Sequence, residues 1–445
     1  MPHDQNKKKR GQNSRKRRVN KPENKDSFDP RPGESISEVV KISEFGHHGD
    51  GVATLKNGEN CYIPYTLPGE TVKIERTRNV YKLIEIQKAS ENRIKPFCDY
   101  FTVCGGCKIQ HLELSIYQSW KHGIVQKALI NQGIDIPVAP LIDAHGKGRR
   151  RVSFHAKREN GQIQVGLMKY HSHEILNIDK CPILVPELSS GINIARDITR
   201  VIPSGSKPLN IQLTATESGI DCNINGCPTD GSTLFTKIAE LANKYDLARI
   251  SFDRDIIIER NPPVISIADA KIILPPSSFL QPTISGENIL ASLVLEYLKD
   301  VTQIADLYCG IGTFAIRMAK RSTITAYDNN ALSIEALTKA INHTQGLKPV
   351  IAIERDLSRE PLFPQELKKF DAIIFDPPRA GAAAQAQQLA TSTVNKIIAV
   401  SCNPASFALD ASILIKGGFV LKRVTPIDQF KFTSHIELVA LFERT

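Results

Sequence analysis

Apolar and polar positions change rhythm along the chain. Between residues 35 and 88 short alternating segments recur: Val39-Val40-Lys41-Ile42, Cys61-Tyr62-Ile63-Pro64-Tyr65, Thr71-Val72-Lys73-Ile74 and Tyr81-Lys82-Leu83-Ile84-Glu85-Ile86. Turn-forming words divide them: His48-Gly49-Asp50-Gly51, Lys56-Asn57-Gly58 and Leu67-Pro68-Gly69-Glu70. Several short strands at this spacing predict a small barrel. Residues 112–132 have helical character and carry the only tryptophan, Trp120. Residues 149–265 read as strands mixed with loops. From about Asn288 helix-like and strand-like segments alternate, with apolar runs at 304–308, 324–327, 350–353, 372–375 and 397–400. Such alternation predicts a parallel sheet with helices on both faces. The last runs, 419–424 and 436–442, lie too close together for a helical crossover and should pair antiparallel. The fold class is α/β, in four regions. These are a tail at 1–33, a barrel at 34–90, a central α+β region at 91–275 and the layered sheet at 276–445.

Charge alters this picture at one end only. The net charge is +10, from 57 Lys/Arg and 47 Asp/Glu. Residues 1–30 hold ten of those bases and four of the acids, so six of the ten charges sit in a segment with almost no apolar content. Such a segment cannot offset its ordering entropy and is expected to be disordered. It serves equally well as a solubilising arm or as a contact for nucleic-acid phosphates. Without a run of eighteen apolar residues, a membrane-spanning helix is excluded. No apolar stretch follows the basic N-terminus, so no secretory signal is expected. Nine cysteines are too few for a disulfide scaffold, and the reducing cytoplasm is the expected compartment.

Candidate chemistry begins at Asp306-Leu307-Tyr308-Cys309-Gly310-Ile311-Gly312-Thr313-Phe314, between a strand and a helix. Glycines there allow a tight turn and close approach to a ligand. The loop lacks the Gly-Lys-Ser/Thr of a triphosphate cradle and the third glycine of a dinucleotide fingerprint. Asp328 closes the next strand 18 positions after Gly310, about where an acid meets ribose hydroxyls in the analogous dinucleotide fold. Together these features point to an adenosine-bearing ligand without a pyrophosphate, S-adenosylmethionine. Two further words follow strands, Phe375-Asp376-Pro377-Pro378-Arg379-Ala380-Gly381 and Ser401-Cys402-Asn403-Pro404. Both fall where open α/β sheets bind ligands. Cys402, between polar neighbours, is a candidate nucleophile. Arg149-Arg150-Arg151 reads as a solvated edge or a phosphate clamp. Cys222 and Cys227 read as ordinary residues.

These words resemble, in order and spacing, the RNA uracil-5 methyltransferase family. His435-Ile436-Glu437 near the C-terminus and Ser278-Phe279-Leu280-Gln281 before the cofactor loop extend the likeness. Gly49-Asp50-Gly51-Val52-Ala53 and the word from Ile63 to Glu70 look like a TRAM domain, an RNA-binding barrel of the OB type. The resemblance implies a class I methyltransferase sheet acting on a uridine in RNA, with 23S ribosomal RNA favoured. It implies Cys402 as the nucleophile at carbon 6 and Glu437 as the base. Gln281, Tyr308, Asp328 and Asp376 would hold the methyl donor. Asp328 stands where Glu is frequent, and Pro282-Thr283 replaces a common Asn. RNA is the expected partner, with no membrane, and the chain is expected to be monomeric.

Cys98-x5-Cys104-x2-Cys107 supplies three thiols, and Cys181 before Pro182 is the best fourth. Spacing alone leaves zinc and iron–sulfur open. The resemblance implies a [4Fe-4S] cluster, as in the family's ribosomal branch. A transfer-RNA target, a non-catalytic RNA-binding protein on the same fold, and methylation of another base are the competing readings.

Overall fold

The computed structural model describes residues 35–77, 80–159, 161–203, 207–227 and 232–444. The basic tail at 1–33 lies outside them. The barrel consists of two three-stranded sheets. In one, Thr71–Thr77 pairs antiparallel with Ile36–Lys41 and with Val80–Lys88. In the other, Gly51–Thr54 pairs with Glu44–Phe45 and with Asn60–Ile63. The strand Gly51–Thr54 begins on the last residue of the turn word 48–51 and is not among the expected strands. Its Gly51, Val52 and Ala53 are all buried, so it shows no alternation. A Cβ on Gly51 would collide with Thr66 Oγ1, which explains the glycine.

The central region is more regular than strands mixed with loops. Seven strands form one sheet, and the helices Gly191–Val201 and Ser232–Lys244 pack on it. Ile192, Ala195 and Ile198 are buried along the first helix at the three-residue step of a helix face. The periodicity was present but short, and polar Arg196, Asp197 and Arg200 interrupt it. One strand pair, Gly219–Asn225 with Leu247–Phe252, is parallel, and the second helix makes its crossover.

The C-terminal sheet has eight strands. Their order is Val350–Glu354, Thr323–Asp328, Gln303–Leu307, Ala372–Phe375, Lys396–Ser401, Glu437–Glu443, Val420–Asp428 and, at the edge, Ile142–Asp143. The first five are parallel, and Glu437–Glu443 runs antiparallel to both neighbours. Apolar clusters fill both faces. Strand order reverses between Gln303–Leu307 and Ala372–Phe375, which opens a crevice at their carboxyl ends. Among the described residues no helix is long and apolar enough to cross a membrane.

The helix Leu114–Ile130 packs on the helix Pro404–Lys416 and carries a buried charge. Lys121, fully buried, pairs with Asp428 and donates to the carbonyls of Phe430 (3.2 Å) and His435 (2.6 Å). Tyr117 donates to the same Asp428 (2.7 Å) and accepts from the Phe432 amide (2.9 Å). This helix therefore braces the loop that leads into Glu437. Lys121→Met should cost about 3–5 kcal/mol in chemical denaturation, because it strands a buried carboxylate. Lys121→Met with Asp428→Leu should cost less than the sum of the two single changes.

Candidate active site

The crevice is built on strained backbone. Tyr308, Gly310 and Gly312 all have positive φ, so the chain turns sharply as it leaves the strand. A Cβ on Gly310 would meet no protein atom within 4 Å, and the loop leaves open space in front of it. Asp328 secures the turn: its carboxylate accepts from the Gly310 amide (2.8 Å) and the Asn330 amide (2.9 Å). Behind them lies Asp306, fully buried, with neither carboxyl oxygen hydrogen-bonded. Burial, with Asp376 nearby, raises its carboxyl well above the usual range. An orphaned buried acid and an empty cradle suit a ligand carrying hydrogen-bond donors and positive charge.

Cys402 follows its strand directly and precedes a helix. Asn403 caps that helix, accepting from the Ala405 amide (3.1 Å), and Pro404 takes the first helical position. Asn403 Nδ2 (3.0 Å) and Ser406 Oγ (3.1 Å) both donate to the Arg379 carbonyl. The Asp-Pro-Pro-Arg loop and the cysteine loop are thereby tied together. Burial, then the negative charges of Glu437 and Asp376, push the Cys402 thiol up to about 11. Asp376 is partly buried, and desolvation lifts it to about 7. Glu437 is buried, and desolvation followed by Asp376 raises its carboxyl well above the normal range.

A chain of amides links the acids. Gln281 Nε2 reaches Asp376 Oδ2 (3.5 Å), and Gln281 Oε1 accepts from Gln429 Nε2 (2.7 Å). The same Gln429 nitrogen donates to Glu437 Oε2 (2.8 Å). Gln281, Asp376 and Glu437 are thus joined in one network beside Cys402, and the Asp376 amide donates to the Leu307 carbonyl (3.2 Å), next to Tyr308.

Gln281 is held by the central region. Arg150, buried, donates Nε to the Gln281 carbonyl (2.9 Å) and pairs with Glu287, which also binds Arg317 (3.1 Å). Arg151 donates to Thr214 Oγ1 (2.9 Å) and to the Ser278 carbonyl. These two arginines are neither a solvated edge nor a phosphate clamp; they position the segment 278–282. Thr283 caps the next helix, accepting from the Gly286 amide (2.9 Å).

A cleft of about 840 Å³ opens from Cys402. Arg379, Ser434 and His435 line one side; Phe45, His47, His48 and Tyr62 of the barrel and Trp120 line the other. The barrel therefore faces the nucleophile across open space.

Cys98, Cys104, Cys107 and Cys181 line a separate small cavity together with Tyr100, Leu167 and Ile178. Burial raises Cys107 to about 11 and Cys181 to about 12. Among the described residues no group of three or more His, Cys, Asp or Glu side chains is arranged to hold a metal ion. The cavity's loop abuts the active-site loop, since the amides of Lys108 (2.8 Å) and Ile109 (3.2 Å) donate to the Phe432 carbonyl. Cys222 and Cys227 are buried in the core of the central region.

Sequence reasoning overlooked Gln429 and Lys121, and gave Arg150 and Arg151 a different role. The available signal at Gln429 was a polar pair, Asp428-Gln429, continuing an apolar strand.

Residues 237–445 match the model of the tRNA (uracil-5-)-methyltransferase family, and residues 38–78 match that of the TRAM domain. The chain is 42% identical over 405 residues to an uncharacterized RNA methyltransferase of Brucella suis, covering 91% of this chain and 97% of that protein. It is 27% identical over 429 residues to a 23S rRNA (uracil(1939)-C(5))-methyltransferase of Vibrio vulnificus, covering 92% and 97%. Its structure is similar to that of Pyrococcus abyssi tRNA (uracil-54, C5)-methyltransferase in complex with S-adenosyl-L-homocysteine, with a TM-score of 0.72 and 22% identity over 91% of this chain and 99% of that one.

Proposed function

Because this chain belongs to the RNA uracil-5-methyltransferase family, we propose that it methylates carbon 5 of a uridine in 23S ribosomal RNA, through a Cys402 adduct at carbon 6. The observation that carries this reading is one constellation: a thiol that follows its strand and two carboxyls beside it, joined to one another through the amides of Gln281 and Gln429. Carbon 5 of uracil is a poor nucleophile. Thiolate addition at carbon 6 makes it enolate-like, and a base must then remove the carbon-5 proton so that the thiolate can leave. Cys402 performs the first task and Glu437 the second. S-adenosylmethionine, when bound, supplies the methyl group. Gln281, Tyr308, Asp328 and Asp376 hold it in front of the glycine loop, with Asp306 behind. The target base must leave its stack to reach Cys402, and the cleft beneath the barrel receives it.

Ribosomal RNA is favoured by the TRAM domain, by four cysteines around one cavity and by the Vibrio relative. The second reading is a transfer-RNA target, which the Pyrococcus likeness favours. Comparing 5-methyluridine maps of RNA from cells with and without the protein decides between them. Loss of a 23S site supports the proposal; loss of a transfer-RNA site alone, or of none, overturns it.

The regions would be a TRAM-like barrel at 34–90, a central RNA-binding and cluster region at 91–275 and the methyltransferase domain at 276–445. The protein would act in the cytoplasm as a monomer.

Cys98, Cys104, Cys107 and Cys181 are four soft donors around one cavity, the donor set that a [4Fe-4S] cluster takes. The cluster would cross-link 98–107 to 181 and so steady the loop at Phe432. Anaerobically purified protein should be brown and contain about four irons per chain. Cys181→Ser should lower that content and the thermal stability together. A colourless, zinc-loaded protein would instead identify a zinc site.

A further inference from the structure

Gln429 takes no part in the chemistry above, yet it is wholly buried at the centre of the site. One amide nitrogen serves both Gln281 Oε1 and Glu437 Oε2. The amide oxygen is buried without a partner and lies against Gly286, where a Cβ would collide with it. The amide is therefore held through its two donated bonds alone. Among the described residues it is the one hydrogen-bond donor to the Glu437 carboxyl. The titratable groups that face Glu437 from the neighbouring strands are Asp376 and Cys402, both acidic, with Asp306 behind Asp376. On its own loop His435 is exposed, and Asp428 is already paired with Lys121.

We propose that Gln429 is the positioning residue for the base, holding the Glu437 carboxylate by a donated hydrogen bond and fixing it to Gln281 on the cofactor side. This rests on Glu437 being the base. In the step concerned, Glu437 takes the proton from carbon 5. The C–H electron pair becomes the carbon 5–carbon 6 double bond. The carbon–sulfur bond breaks, and its pair returns to Cys402 as thiolate. Only an ionised Glu437 can accept that proton. Burial and the neighbouring Asp376 favour its protonated form, whereas a donor favours the ionised one. Removing the donor therefore raises the pH above which the base works.

The test uses full-length protein, RNA from cells lacking it, and methyl-labelled S-adenosylmethionine, from pH 6.5 to 9. The methylated protein–RNA adduct and the released methylated RNA are measured separately. Gln429→Met should form adduct within about threefold of wild type but release product up to about tenfold more slowly at pH 7. Its release profile should move up by about one pH unit and converge on wild type toward the alkaline end of the range. Gly286→Ala crowds the same amide without deleting it, and should shift the profile the same way by less. It decides the matter if Gln429→Met does not fold. A release profile superimposable on wild type, or a pH-independent loss of both steps, overturns the proposal. If wild-type protein forms no adduct at all, the chemistry beneath it fails first, which is a distinguishable result.

Discussion

Cys402→Ala is expected to abolish covalent capture of RNA that carries 5-fluorouracil at the target position. It should also reduce methyl transfer on ordinary RNA by on the order of 10⁴-fold or more, as nucleophile deletions do. The reason lies in the site. No other thiol can replace this one: Cys309 on the glycine loop is buried, and burial with Asp306 raises its thiol well above the normal range. After methyl transfer carbon 5 carries fluorine and methyl but no proton, and fluorine cannot leave as a cation, so the thiolate cannot be eliminated and the adduct stays formed. A thiol at about 11 is mostly protonated at neutral pH, and its thiolate fraction rises about tenfold per pH unit. Wild-type capture should therefore accelerate from pH 6.5 to 8.5. Gel-shifted, denaturant-resistant complex measures both effects. An alanine variant that captures as well as wild type removes Cys402 as the nucleophile.

Glu437→Gln should separate the two halves of the reaction. Adduct formation and methyl transfer should continue, while product release falls by about 10²–10⁴-fold, the usual worth of a positioned base. Methylated protein–RNA complex should then accumulate on normal RNA without fluorine. The sign of the pH effect follows from the raised carboxyl. Glu437 is a base only above its folded pKa, which burial and Asp376 lift well beyond the usual carboxylate range. Wild-type release should therefore decline as pH falls through that raised value, and the decline should vanish in the glutamine variant. Normal release by Glu437→Gln would assign the proton to another group, and Asp376, at about 7, would be the next candidate.

Much of this site was legible without coordinates. The words at Asp306, Asp376 and Cys402 each follow an apolar run, and parallel alternation puts such words at one edge of a sheet. The antiparallel ending was legible too, because 420–428 and 437–443 leave room only for a short loop. The helices Gly191–Val201 and Ser232–Lys244 were not read, since short amphipathic segments broken by charges look like loops between strands. The strand Gly51–Thr54 was hidden by its glycine turn.

The sequence by itself named the candidate groups, Asp376 and Cys402 by their place after apolar runs and Gln281 and Glu437 by resemblance to a known family. Only the tertiary structure decided how those groups are held. Lys121 reaches Asp428 across 307 positions, Arg150 meets Glu287 across 137, and Gln429 meets Gln281 across 148. No local period encodes such pairs. A buried lysine, arginine or glutamine looks in sequence like any polar residue, and becomes tolerable only where folding brings its partner within hydrogen-bond reach.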